Sequence, residues 1–323
     1  MSQVEGSFVI GVDLGGTRLR TALADRQGAI IRQRSIATNA DEGRDAVIRR
    51  IVSEIRAVLV PEPISSLRAV AVAVPGPCNP SLGVVYNPPN LPGWGEVALS
   101  SILAQDLSVP VHLGNDANVA ALAEHQFGSG RGLSCVVYLT VSTGIGGGVV
   151  EADRLILGAW GGAAEIGHIT IDLNGPLCGC GNHGCLESMA SGTAIASETA
   201  RRLGAGERSS LIEQAGVDLN DLRADQIVAA ADDGDPLSRR VIDWAGYNLG
   251  VGLANIMHLY DPAIIIVGGG VSNAWPLLEP AIHRAIRERA MAAYVQHTRV
   301  VRSQLGDDVG LLGAVSLALR LAR

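Results

Sequence analysis

The chain contains no lysine, so its positive charge is carried by arginine. A P-loop needs Gly-Lys-Ser/Thr, and its absence excludes a P-loop nucleotidase. Schiff-base chemistry on a lysine amine is excluded by the same count. Any phosphate bound here must be held by backbone N–H groups, hydroxyls, arginine or a metal ion. Aromatic residues are also scarce, at 3% of 323 residues. No apolar run approaches the ~20 residues that span a bilayer. The first eight residues are polar and include Glu5, without the basic start and apolar core of a secretory signal. The formal charge is −7. No basic patch offsets it, because Arg49-Arg50 and Arg201-Arg202 read as solvated helix faces. Neither nucleic acid nor an anionic membrane is expected as a partner, and a cytoplasmic location follows. In that compartment the five cysteines read as thiols or metal ligands rather than disulfides.

What is abundant is aliphatic residues and glycine: 47% of the chain is apolar and 40 residues are Gly. That composition predicts an aliphatic core with many tight turns and argues against disorder. Phe8–Asp13, Arg18–Ala24 and Ala29–Ile36 read as strands, the last two joined by turn residues Asp25–Gly28. Arg44–Val58 has helical spacing, with Val47, Ile51, Ile55 and Val58 on one face. Strands at Leu67–Val74 and Val109–Leu113 follow, then a helix at Ala117–Phe127. The pattern restarts with strands at Cys135–Val141, Ile145–Val150 and Arg154–Ile156. The later half is mostly helical, including Pro236–Leu259. Ala263–Val267 is a strand, and Gly310–Leu321 a final helix. This weak self-similarity predicts two related α/β lobes, residues 1–127 and 128–309, with a hinge near Phe127–Gly132. The last helix, 310–323, is expected to return to the first lobe.

Five motifs carry chemistry. Asp13-Leu14-Gly15-Gly16-Thr17 follows a buried strand; its glycines permit positive φ and close backbone approach. Successive N–H groups there can form an anion nest, and Asp13 can hold Mg²⁺ through water. The plainer alternative is a hairpin turn. Ser142-Thr143-Gly144-Ile145-Gly146-Gly147-Gly148 repeats the theme at the equivalent place in the second segment. Gly268-Gly269-Gly270 lies between a strand and a helix, where an adenosine can lie against bare backbone. Cys178-Gly179-Cys180 with Cys185 suits a tight tetrahedral Zn²⁺ loop that needs a fourth ligand, His168 or His183. Asn115-Asp116 opens a helix; Asp116 reads either as an N-cap or as a cleft-facing general base.

Taken together these motifs resemble the ROK family, the repressors, open reading frames and sugar kinases of the actin-type ATPase superfamily. The Cys-x-Cys-Gly-x-x-Gly-Cys-x-Glu signature stands at 178–187, and Glu-x-Gly-His at 165–168. Asp-x-Gly-Gly-Thr at 13–17, Asn-Asp at 115–116 and Thr-Gly-x-Gly-Gly-Gly at 143–148 complete it. The resemblance implies an α/β, two-lobed actin-like ATPase (ribonuclease H-like) sugar kinase fold with an interlobe cleft. It implies ATP and Mg²⁺ as donor and cofactor, with nucleotide contacts from Asp13, Gly15, Gly16, Thr17, Thr143, Gly144, Gly146, Gly147, Gly269 and Gly270. It makes Asp116 the catalytic base, and His168, Cys178, Cys180 and Cys185 the ligands of a structural Zn²⁺. Asn90, Asn115, Asp116, Glu165, His168 and Glu187 would contact the sugar. Pro89-Asn90-Leu91-x-x-Trp94 resembles the family's glucokinases more than its amino-sugar kinases, so phosphoryl transfer to the 6-hydroxyl of glucose is expected. N-acetylmannosamine, N-acetylglucosamine and fructose are the alternatives. The family's regulators carry an N-terminal helix-turn-helix, for which the turn at Asp13 leaves no room. Arg18 stands where the family often has Lys, and no phosphate contact is assigned to it. A homodimer or higher homo-oligomer is expected.

Overall fold

The computed structural model describes residues 8–213 and 218–322. The polar stretch 1–7 read above as lacking a signal lies outside them. In chain order, β1 (Phe8–Leu14), β2 (Arg18–Asp25) and β3 (Ile30–Ala37) are followed by α1 (Arg44–Leu59) and β4 (Leu67–Val74). Then come β5 (Cys78–Asn79), β6 (Val84–Tyr86), β7 (Glu96–Val97), α2 (Leu99–Leu107), β8 (Val111–Asn115) and α3 (Asp116–Gln126). The second half begins with β9 (Cys135–Val141), β10 (Ile145–Glu151) and β11 (Arg154–Leu155). It continues through α4 (Leu186–Ala190), α5 (Gly192–Gly204), α6 (Ser210–Glu213), α7 (Ala224–Asp232) and α8 (Pro236–Tyr260). It closes with β12 (Ile264–Gly268), α9 (Trp275–Arg289), α10 (Ala292–His297), β13 (Arg299–Arg302) and α11 (Val309–Leu321). Among the described residues no helix is long and apolar enough to cross a membrane.

The chain forms two compact units. One takes the chain up to Gly132, Gly148–Ala164 and everything from Leu305 onward; the other takes Leu133–Gly147 and Glu165–Gln304. The sequence reading divided the chain near Phe127–Gly132 and again before the last helix. The further division inside β10, which gives Gly148–Ala164 to the first unit, falls between Gly147 and Gly148 in a glycine run that the sequence reading took as a ligand turn and not as a boundary.

The first unit is built on a sheet of order β3-β2-β1-β4-β8. β1 runs antiparallel to β2 and parallel to β4, and β4 runs parallel to β8. Its strands sort their side chains by size, since successive residues face opposite sides. Ile10, Val12 and Leu14 of β1, Leu19 and Leu23 of β2, and Val70, Val72 and Val74 of β4 share one core cluster with Val47, Ile51, Ile55 and Val58 of α1. Val9, Ala22, Ala24 and Ala71 face the other way and pack on Leu311, Val315, Ala318 and Leu319 of α11. The large-residue face holds α1 and α2, the latter through Leu99, Leu103 and Leu107, and the small-residue face lets the C-terminal helix lie close. Each large aliphatic side chain so buried contributes about 1.5–3 kcal/mol.

β8 starts two residues later than its apolar run suggested. Pro110 has no N–H for the ladder, and its carbonyl accepts from Val70 N–H at 2.9 Å. Pairing then continues to Val74 with Asn115, so the strand ends on Asn115 and α3 starts on Asp116. The second sheet has the order β11-β10-β9-β12-β13. Counted within each half, both sheets run 3-2-1-4-5, the duplication that the repeated strand pattern implied. The 25-residue α8 is capped by Asp235, which accepts from Ser238 N–H at 2.7 Å, with Pro236 at its first position.

Candidate functional site

In the first unit the candidates gather where three parallel strands end. Asp13 pairs with Ala73, and Val74 with Asn115, so the ends of β1, β4 and β8 share one sheet edge. Ligands bind outside the carboxyl ends of parallel strands in open α/β sheets. The turn after β1 is closed by Gly15 N–H on Arg18 O at 2.9 Å and braced by Thr38. Thr38 donates Oγ1 to Gly15 O at 2.7 Å and its N–H to Thr17 O at 2.9 Å. The positive φ allowed at Gly15 and Gly16 is not used at either. Gly16 serves close approach instead: a Cβ there would lie 2.7 Å from both Cβ and O of Asn90. That segment is anchored by buried Leu91 and Trp94, which leaves Asn90 exposed beside the turn.

Asp13 has a partner that sequence reasoning missed. Arg20 donates Nε and Nη2 to Asp13 Oδ2 at 3.0 and 2.5 Å, and its Nη1 lies 3.5 Å from Asp308. The signal was the alternation of β2, which puts Arg20 opposite Asp13 in the register. The N-cap role considered for Asp116 belongs to Asn115. Asn115 Oδ1 accepts from Ala117 and Asn118 N–H at 3.1 and 3.2 Å, and its Nδ2 donates to Gly76 O at 3.2 Å. Asp116 is therefore the first helical residue and stands exposed. Its charge is felt nearby: burial first, then the Asp116 carboxylate, pushes the Cys78 thiol up to about 12. Cys78 is thus an inert thiol.

In the second unit, β12 runs parallel to β9 with Gly268 opposite Thr140. The turn after β9 and the turn after β12 therefore share a sheet edge. Ser142–Gly144 is the turn proper, and Gly146 and Gly147 lie inside β10. Gly269 has φ 83°, a conformation that favours glycine, and a Cβ on it would stand 2.4 Å from Val141 O. Thr143 and Gly270 line a cavity of about 730 Å³. Its other walls come from α5, α7 and the segment just before α7, through residues such as Thr193, Ala196, Val228 and Leu222. None of these was singled out in the sequence, because an Ala/Leu/Val wall reads as ordinary helix core.

Glu187 sits in the first turn of α4. Its Oε2 accepts from Ile145 N–H at 2.8 Å. Glu165 is exposed immediately before the 3₁₀ turn that carries His168. The ligand atoms of His168, Cys178, Cys180 and Cys185 all lie within 4.8 Å of one another. Cys180 Sγ is 3.7 Å from Cys185 Sγ, and Cys178 Sγ is 3.7 Å from His168 Nδ1. A tetrahedron with Zn–S bonds of about 2.3 Å has edges of about 3.8 Å, so the donor set fits a tetrahedral thiophilic cation. His183 is placed elsewhere: its Nδ1 is 3.2 Å from Gly175 O. Burial raises the Cys178 thiol and pushes Cys185 up to about 12, whereas the backbone N–H of Asn182 lowers Cys180.

Comparison with known proteins agrees with this geometry. The chain matches the ROK family over residues 9–321. It is 37% identical over 312 residues to a glucokinase of Thermotoga maritima, covering 96% of both chains. The crystal structure of a ROK family glucokinase from Streptomyces griseus in complex with glucose and AMPPNP superposes with a TM-score of 0.78 at 32% identity, over 97% of this chain and 99% of that one. A xylose repressor of Caldicellulosiruptor bescii is 29% identical over 96% of this chain and 78% of its own length. The sheet order, the two Gly-rich turns, the four-residue cation cluster and these similarities place the chain in the ROK family.

Proposed function

We propose that the protein is an ATP-dependent sugar kinase that moves the γ-phosphoryl group of ATP to the 6-hydroxyl of glucose. The observation that carries the reading is Asp116, an exposed carboxylate at the end of β8 whose helix is capped by its neighbour Asn115. Asn115 performs the cap, and Asp116 Oδ1 accepts from Ala117 N–H at 2.8 Å, a contact that orients the carboxylate. An alcohol is a poor nucleophile until its proton starts to leave. A carboxylate within hydrogen-bond reach takes that proton, for about 10²–10⁴-fold in rate. Asn90, Asn115, Glu165, His168 and Glu187 then hold the sugar hydroxyls and fix the acceptor.

The nucleoside of ATP is assigned to the cavity beside Gly269 and Gly270 in the second unit; Thr143 and Gly144 there, and Gly15–Thr17 in the first unit, are the backbone groups suited to phosphate. Mg²⁺, when bound, would neutralise charge developing on the phosphates, and Asp13 would hold it through water. Arg20 fixes the rotamer of Asp13 and limits its freedom to swing onto a bare cation. Zn²⁺ would be held by His168, Cys178, Cys180 and Cys185, and four protein ligands make it structural. It would fix the loop that leads into α4 and Glu187. With Nδ1 of His168 toward the cluster, Nε2 is left for a sugar hydroxyl. A cytoplasmic setting, with its reducing thiol chemistry, suits this cluster.

Release of ADP measured over a panel of hexoses tests the reading. Glucose-dependent ADP release supports it, and release with none of the hexoses refutes it. The similarity to a xylose repressor favours one second reading, a sugar-responsive regulator. That reading is supported by sugar binding without turnover in the same panel.

A further inference from the structure

The turn Ser142–Gly144 lies against the first residues of α5. Gly192 N–H donates to Ser142 O at 2.7 Å, and Thr193 N–H donates to Thr143 O at 3.3 Å. Thr193 Oγ1 donates to the same Thr143 carbonyl at 2.8 Å. The first N–H groups of a helix have no partner within it. Here Ser191 Oγ accepts from Ala194 N–H at 3.1 Å, while the N–H groups of Gly192 and Thr193 are spent on the turn. A Cβ on Gly192 would lie 2.9 Å from Ser142 O, so the close approach requires glycine.

Two consecutive carbonyls of the turn are thereby drawn toward α5. In a trans peptide the carbonyl and the following N–H point to opposite sides. Fixing Ser142 O and Thr143 O toward α5 therefore turns the N–H groups of Thr143 and Gly144 away from it. Among the described residues neither of these N–H groups donates to a protein acceptor. Thr143 and Thr193 both line the cavity of about 730 Å³. A carbonyl facing a phosphate repels it, and an N–H attracts it.

We infer that Thr193 is a positioning residue for the nucleotide: it holds the Thr143 carbonyl and so presents the Thr143 and Gly144 N–H groups to the phosphates of ATP. The inference rests on the kinase reading, but its outcome is separable from it. Thr193→Val keeps the shape of the side chain and removes the hydroxyl, and Thr193→Ser restores it. Calorimetric titration of the full chain with AMPPNP and, separately, with glucose tests the pair. Loss of one hydrogen bond that orients a ligand site should weaken AMPPNP about five- to tenfold in Thr193→Val. Glucose affinity without nucleotide should stay at the wild-type value, and Thr193→Ser should bind AMPPNP within about twofold of wild type. AMPPNP binding unchanged in Thr193→Val overturns the inference alone, as does a serine variant no better than valine. Equal weakening of glucose also overturns it, since that marks a general packing role. A wild-type chain that binds neither AMPPNP nor glucose overturns the kinase reading along with it.

Discussion

Oε2 of Glu187 lies 2.8 Å from the backbone nitrogen of Ile145, and a Cβ on Gly144 would stand 2.4 Å from that oxygen. The glycine after Thr143 is thus the space into which the Glu187 carboxylate fits. Gly144→Ala should displace Glu187 and raise the KM for glucose by about tenfold or more, since small misplacements in a reacting site are costly. Steady-state kinetics with each substrate varied in turn would check this. A variant whose glucose KM is unchanged while its ATP KM rises would show that Gly144 serves the nucleotide and not Glu187.

Asp116→Asn keeps the size and hydrogen-bonding reach of the side chain and removes the proton acceptor. Turnover should fall by about two to four orders of magnitude while the Kd for glucose stays close to wild type. Because Asn115 rather than Asp116 caps α3, the variant should unfold at a temperature near that of the wild type. An Asp116→Asn protein with wild-type kcat would remove Asp116 from the chemistry.

The cluster of His168, Cys178, Cys180 and Cys185 should carry about one Zn²⁺ per chain in freshly purified protein, read by elemental analysis. Cys180→Ser should lose the metal and lower Tm, because metal affinity is coupled to folding of the loop. His183→Ala should keep the metal, since its ring is engaged by Gly175 O. Zinc lost from His183→Ala but retained in His168→Ala would reverse the assignment.

The proposed sugar contacts of Glu165 and Glu187 predict the choice of substrate. A site built to bind hydroxyls leaves a polar group covered by the sugar and unpaired when a hydroxyl is missing, which can cost several powers of ten in specificity. With Glu165 and Glu187 as acceptors, 2-deoxyglucose should be a poor substrate, and N-acetylglucosamine poorer than glucose. Values of kcat/KM for glucose, mannose, N-acetylglucosamine and N-acetylmannosamine decide the matter. A higher value for either acetylated sugar would keep the kinase and discard the preference for glucose.

By itself the sequence determined the local parts. Apolar runs ending in Gly-rich turns marked the strands at Phe8–Leu14, Leu67–Val74, Cys135–Val141 and Ile264–Gly268. Cysteine spacing marked a metal loop, since three thiols within eight positions have few other uses, and Asn115-Asp116 marked the start of a helix. These signals are local because backbone geometry and turn chemistry act over a few residues. Tertiary structure decided what met what. It selected His168 over His183 by bringing the former, ten residues upstream of Cys178, to 3.7 Å from its sulfur. It joined Arg20 to Asp13 through strand register. It set Thr193 on the Thr143 carbonyl across fifty positions of chain. A hydrogen bond between residues that far apart leaves no periodicity to read, because the packing of α5 beneath the turn, and not the intervening sequence, brings donor and acceptor together.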